Sequence, residues 1–246
     1  MKATAFEFRF RVGISFVIIL LGFWAPWVNY LHWKSHVSTW LWLGVKLSSL
    51  GITSTSGILV VTGLVIAVAA AAAVLRVWGT ACLGPALVNS DEMETGKVLA
   101  DGPYRHVRNP LYLGSWLMIA AIAVLMPPSG AALSLLLLAL FLLRIVLGEE
   151  AFLTDQLGDP YLAYKRAVSR LLPSLWPRVP ASGQSPRWSY ALLSEITPLG
   201  VLIVFLTLSW QFNADLLIRA ILVSFGLSLV VRALLPPRTK SFAPSS

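Results

Sequence analysis

Three clusters in the sequence combine residue types and spacings suited to chemistry. The first is Gly102-Pro103-Tyr104-Arg105-His106-Val107-Arg108-Asn109-Pro110-Leu111-Tyr112-Leu113-Gly114. Asn109 before Pro110 reads as a helix N-cap followed by proline at the first helical position, where its missing N–H is no loss. Free backbone N–H groups at that helix start, with Arg105 and Arg108 beside them and Gly114 removing bulk one turn on, can seat a carboxylate or a phosphate. The same arginines can equally contact lipid phosphates. The second cluster, Glu149-Glu150-Ala151-Phe152-Leu153, directly follows an apolar run. Two carboxylates at a helix C-terminus repel its dipole, which favours a binding role, with ribose hydroxyls or an ammonium as ligands. In the third, Asp159 caps a short helix with Pro160 at its first position, and Pro173 stops it. Tyr161, Leu162, Tyr164, Lys165, Val168 and Leu172 make that helix amphipathic, so it either lies on a membrane or roofs the other clusters with Arg166 or Arg170 pointing inward.

The elements that must position these clusters are apolar. Of 246 residues, 57% are hydrophobic and 12% charged, with mean hydropathy +0.76, whereas a soluble domain carries about 25% charged residues. An ordinary cytosolic globule is excluded. The twenty-two residues between Arg11 and Lys34 carry no formal charge, and further apolar segments run over 58–75, 111–126, 129–147, 196–214 and 216–235. The expected fold is all-α, a polytopic transmembrane bundle of about six spans, with a cytoplasmic site formed by loops and a short helix. Pro127, Pro128 and Gly130 make the third and fourth spans a tight hairpin, which brings the first two clusters to one end. The run Ala69 to Ala73 lets neighbouring helices approach closely. The lone Cys82 has no intrachain disulfide partner, and with three histidines it does not make a structural zinc site.

The net charge of +8 is topological rather than a nucleic-acid signature, because 16 of 19 Lys and Arg residues fall on one side of this arrangement. Only Lys34, Lys46 and Arg219 fall opposite. That asymmetry puts both termini and both long polar connections in the cytoplasm. The first apolar stretch is too long for a cleavable signal and is expected to stay as an anchor. Trp33, Trp40 and Trp42 in the outer connection suit the headgroup level, and His32 and His36 are read there as interfacial. Eight of the eleven acidic residues sit in Asp91 to Asp101 and Glu149 to Asp159, both cytoplasmic, and function is expected there.

The run Gly102 to Gly114, the pair Glu149-Glu150 with Leu153, and Leu157-Gly158-Asp159-Pro160-Tyr161-Leu162-Ala163-Tyr164 with Arg170 and Pro173 resemble the isoprenylcysteine carboxyl methyltransferase and phospholipid N-methyltransferase superfamily. These are integral membrane enzymes that use S-adenosylmethionine. The resemblance covers roughly Arg76 to Trp176 and departs at one point: the family's histidine before proline is Asn109 here. It implies cofactor contacts from Gly96, Lys97, Val98, Leu99, Tyr104, Asn109, Pro110, Leu111, Tyr112 and Glu149, to which the helix-start reading adds Arg108 and Gly114. On the substrate side it implies Arg170, with Arg144 and Tyr164. Arg170 and Glu150 are the candidate catalytic residues, and no metal is expected. The corresponding organisation is helices 1 and 2 in 1–75, a methyltransferase core in 76–177, a linker in 178–191 and a C-terminal hairpin with tail in 192–246.

Methyl transfer is an in-line displacement that asks the protein to align donor and acceptor and exclude water. A carboxylate acceptor needs only a cation to orient it, whereas an amine must lose a proton, for which Glu150 or Tyr164 are candidates. The acceptor is expected to be lipophilic, a lipid or a lipidated or small molecule, entering from the bilayer. Two other readings stay open: an NADPH-dependent reductase of the sterol type, for which Arg105, Arg108 and Arg166 can meet a 2′-phosphate, and a catalytically silent membrane scaffold. The acceptor atom and the oligomeric state are not specified by the sequence.

Overall fold

The computed structural model describes residues 3–24, 37–51, 53–83 and 100–234, and among these residues the regular structure is entirely helical. The order is α1 (Ala5–Arg9), α2 (Arg11–Trp24), α3 (Thr39–Ser48), α4 (Ser54–Cys82), α5 (Pro110–Ala123), α6 (Pro128–Leu157), α7 (Asp159–Ala167), α8 (Trp188–Ser194), α9 (Ile196–Leu208) and α10 (Ala214–Leu234). Helices α4, α6 and α10 are long and apolar enough to cross a bilayer, and α8 with the helix after it makes a fourth candidate span bent by 69°. Apolar helices α2 and α5 have 14 residues each, about 21 Å at ~1.5 Å per residue against about 30 Å of hydrocarbon. Helices therefore occupy all six expected positions, while three or four have spanning length. The end of the first expected span from residue 25 onward, with His32, Trp33 and His36 at the start of the expected outer connection, lies outside the described residues.

Several boundaries differ from the sequence reading, each for a local reason. Helix α4 continues through Arg76 to Cys82, where no proline interrupts it and the single Gly79 is tolerated against Leu111 of α5. Helix α6 continues past Glu149 and Glu150 to Leu157 and ends at Gly158, whose φ of +60 suits glycine. The two glutamates are thus in a helix body and not at its C-terminus. Helix α7 is capped by Gly158 rather than Asp159 and stops at Ala167, since Val168 is already extended. The outer connection carries α3, and Trp40 is core: it is 4% exposed, and its Nε1 donates to Thr62 Oγ1 at 2.9 Å.

Small residues set the helix crossings. Ala69, Ala72 and Ala73 are buried, and a Cβ added to Gly114 would lie 3.2 Å from the Ala72 carbonyl oxygen. A Cβ on Gly130 would collide with the Gly22 carbonyl, so α2 and α6 meet at backbone distance. The C-terminal helices are tied to this core by charge. At the bend between α8 and α9, Glu195 is 1% exposed and receives Arg76 Nε and Nη2 on Oε2, both at 2.7 Å. Thr80 Oγ1 donates to Glu195 Oε1 at 2.6 Å, and Arg76 Nη1 donates to Ser115 Oγ at 2.6 Å. Removing one member leaves the other charge buried and unmatched, so Glu195→Ala is expected to cost about 3–5 kcal/mol. Thermal unfolding in detergent should show a large fall in Tm for Glu195→Ala and a smaller one for Glu195→Gln, and an unchanged Tm for both would contradict the assignment.

Candidate functional site

One end of the bundle gathers the start of α5, the late turns of α6, helix α7 and the strap that follows it. Backbone bonds fix the strap: Arg108 N to Ser169 O at 2.9 Å, Ser174 N to His106 O at 3.0 Å, Arg178 N to Arg105 O at 2.9 Å and Arg187 N to Ala81 O at 2.9 Å. Asp101 accepts from the backbone N–H groups of Ser182, Gly183 and Gln184 at 2.9, 3.2 and 3.3 Å. His106 Nδ1 lies 2.8 Å from Ser174 O, a bond that requires its proton on Nδ1. The expected linker therefore starts as a bonded continuation of the loop before α5.

At the centre of this end is Glu150, which is 2% exposed. Arg170 Nε lies 3.1 and 3.2 Å from its two oxygens, and Arg170 Nη2 donates to Oε2 at 3.0 Å. Arg108 Nη2 stands 3.3 Å from Oε1. Asn109 Nδ2 donates both to Glu150 Oε1 at 3.1 Å and to the Arg170 carbonyl at 3.2 Å. Asn109 holds the N-cap position of α5 without a side-chain capping bond, because its amide is used across the site instead. One amide nitrogen meets two acceptors there, which the single N–H of a neutral imidazole cannot do. Glu150 in turn raises the pKa of the Arg170 guanidinium, chiefly by accepting its hydrogen bond.

Glu149, one residue earlier on α6, has a different environment. Tyr112 hydrogen-bonds its carboxylate, while Oε2 is buried with no partner among the described residues. Arg108 Nε is the other buried side-chain atom in that condition. Tyr161 and Tyr164 pack with Tyr104 and Ala100. Burial pushes the hydroxyl pKa of both Tyr161 and Tyr164 upward, and the Tyr164 hydroxyl donates to Tyr104 O at 2.7 Å.

Tyr104, Arg108, Asn109, Tyr112, Glu149, Glu150, Tyr164 and Arg170 thus converge. Pro110 is buried at the start of α5, and Leu111 packs toward the position of Gly79 on α4. Gly114 faces Arg76 and Ala72 on α4, so the bulk it removes admits a helix. Arg144 is directed elsewhere: its Nε and Nη2 donate to Glu7 at 3.1 and 2.9 Å, and Ala3 N donates to its carbonyl. That hydrogen-bonded pair holds the Glu7 carboxyl down at about 2. Gly96, Lys97, Val98 and Leu99 lie outside the described residues. Sequence reasoning missed the Arg76–Glu195 pair, although Glu195 is the one acidic residue between Asp159 and Asp215, directly before an apolar run.

Residues 52–159 match the phospholipid methyltransferase family. No curated protein and no solved structure gives a significant match. The matched segment runs from just before α4 to the first residue of α7, so it contains Asn109, Tyr112, Glu149 and Glu150. Arg170 and the strap lie beyond it and close on Glu150 from outside.

Proposed function

We propose that the chain transfers a methyl group from S-adenosylmethionine to a lipophilic acceptor at this end of the bundle, with residues 76–177 as the methyltransferase core. The observation that carries the reading is the buried Glu149 Oε2, which has no partner among the described residues, beside the saturated Glu150. A buried carboxylate oxygen without a donor is costly, and a ribose hydroxyl or an α-ammonium is the donor it lacks. S-Adenosylmethionine, when bound, supplies an activated methyl sulfonium. The chain's residues then have distinct tasks. Glu149 receives the cofactor's donors, and the Tyr104 and Tyr112 rings offer π-faces to an aromatic base or a cation. Gly96 to Leu99 are assigned to the same side by the family resemblance. Asn109, Arg108, Glu150 and Arg170 hold the start of α5, the end of α6 and the strap in one geometry, which is what an in-line displacement requires.

The engaged state of the candidate bases bears on the acceptor. Glu150 is bound by two guanidiniums and an amide, and the Tyr164 hydroxyl is raised in pKa and already donates to a carbonyl. This favours an acceptor that arrives nucleophilic, such as a carboxylate, over one that needs either residue to take its proton. Arg170 is assigned to the acceptor side, entered from the bilayer. Arg144, bound to Glu7, has no role in this scheme.

Calorimetric titration of the detergent-purified chain tests the reading. S-Adenosylhomocysteine is expected to bind at micromolar levels and NADPH not to bind. NADPH binding alone would transfer the chain to the sterol-type reductases, and silence to both from folded protein would favour the scaffold. We also place the site and both termini in the cytoplasm, supported by the 16 of 19 basic residues on that side. A C-terminal alkaline phosphatase fusion is expected to be inactive in a bacterial host, and an active one would reverse the orientation.

A further inference from the structure

Behind Arg108, on the outside of α7, lies an open cleft of ≈ 400 Å³ lined by Lys165, Arg166, Ser169, Ser174 and Arg178 among others. Among the described residues no carboxylate lines it, and Lys165, Arg166 and Arg178 have no acidic partner. Arg108 stands at its base with its side chain 8% exposed, Nη2 near Glu150 and Nε without a partner among the described residues. The strap that forms one wall presents three large apolar side chains outside any helix: Leu172, Leu175 and Trp176 are 80%, 91% and 77% exposed. Ser174, between them, is bonded back to His106, so this presentation is fixed by the backbone.

We propose that this cleft and its apolar rim form a docking surface for anionic phospholipid headgroups of the adjacent leaflet. Charge complementarity is the first support. Unpaired cations with no opposing carboxylate attract a phosphate, and an anionic lipid adds to that attraction where a zwitterionic one does not. Depth is the second. Arg108 N bonds to Ser169 O two residues before the apolar helix α5 begins, so the strap lies where the bundle leaves the hydrocarbon. A tryptophan with two leucines beside basic residues at that level is the pattern of a segment that dips into the headgroup boundary. A free phosphate would give the cations a partner and leave the apolar rim unexplained. Except for Arg108, these residues lie beyond the 52–159 segment, and the surface is separate from the cofactor position assigned to Glu149.

The test is microscale binding of short-chain phosphatidylglycerol and of phosphatidylcholine with the same chains to the full-length protein in non-ionic detergent. Phosphatidylglycerol is expected to bind at least tenfold more tightly. Arg166→Gln with Arg178→Gln should abolish that preference, and Trp176→Ser should weaken both lipids, with monodisperse elution and lipid-free Tm as folding controls. Equal binding of the two lipids, or a preference that survives the double substitution, overturns the proposal. Inorganic phosphate or NADPH bound as tightly as phosphatidylglycerol, and lost in the double variant, also overturns it by showing a soluble-anion site. The wild type alone carries a parallel test: the preference must fall as sodium chloride is raised, and a salt-independent preference contradicts a headgroup held by charge.

Discussion

A carboxylate buried at the polar end of an apolar bundle persists as an ion only when its charge and lone pairs are met, and Glu150 is the point at which this protein meets that demand. Its partners come from two places in the chain, Arg108 and Asn109 before α5 and Arg170 beyond α7, and they meet on α6, which carries Glu150. Because each donor brings its backbone with it, the cluster fixes where the loop, the helical hairpin and the strap sit relative to one another. Asn109 adds to this by donating to both Glu150 and the Arg170 carbonyl. A second buried pair, Arg76 with Glu195, does the same work for the C-terminal helices.

Adjacent residues on a helix point about 100° apart, and the Glu149-Glu150 pair uses that angle to separate two tasks. Glu150 turns toward the guanidiniums of the loop and strap, while Glu149 turns toward Tyr112 and keeps one buried oxygen free of donors among the described residues. The first carboxylate is structural in its bonding and the second is available in its bonding. Sequence position alone does not distinguish them, and it is this division that supports a cofactor at Glu149.

Much of the architecture was legible because its signals are local. Apolar runs located six helices, Pro127 and Pro128 located the hairpin, and the hairpin brought Asn109 beside Glu150. What was not legible rests on partners distant in sequence. Nothing near Asn109 indicates that its amide reaches residues 41 and 61 positions away and leaves the cap unfilled. Trp40 has the composition of an interfacial residue, and only Thr62 on the facing helix shows that it is core. Polar residues after Leu147 resembled a helix end, yet a polar helical face has the same composition, and α6 runs on until Gly158. Arg144 matched no clear register, and its partner proved to be Glu7 at the far end of the chain.

The most direct measurement compares Glu149→Gln with Glu150→Gln for S-adenosylhomocysteine affinity and melting temperature on the same preparations. Glu149→Gln should weaken binding about tenfold, as loss of one charge-assisted hydrogen bond implies, while leaving Tm near that of the wild type. Glu150→Gln should lower Tm strongly, because two guanidiniums lose their counter-ion. The reverse pattern, with Glu149→Gln unstable and still binding and Glu150→Gln stable and unable to bind, would contradict the division of roles on which the account rests.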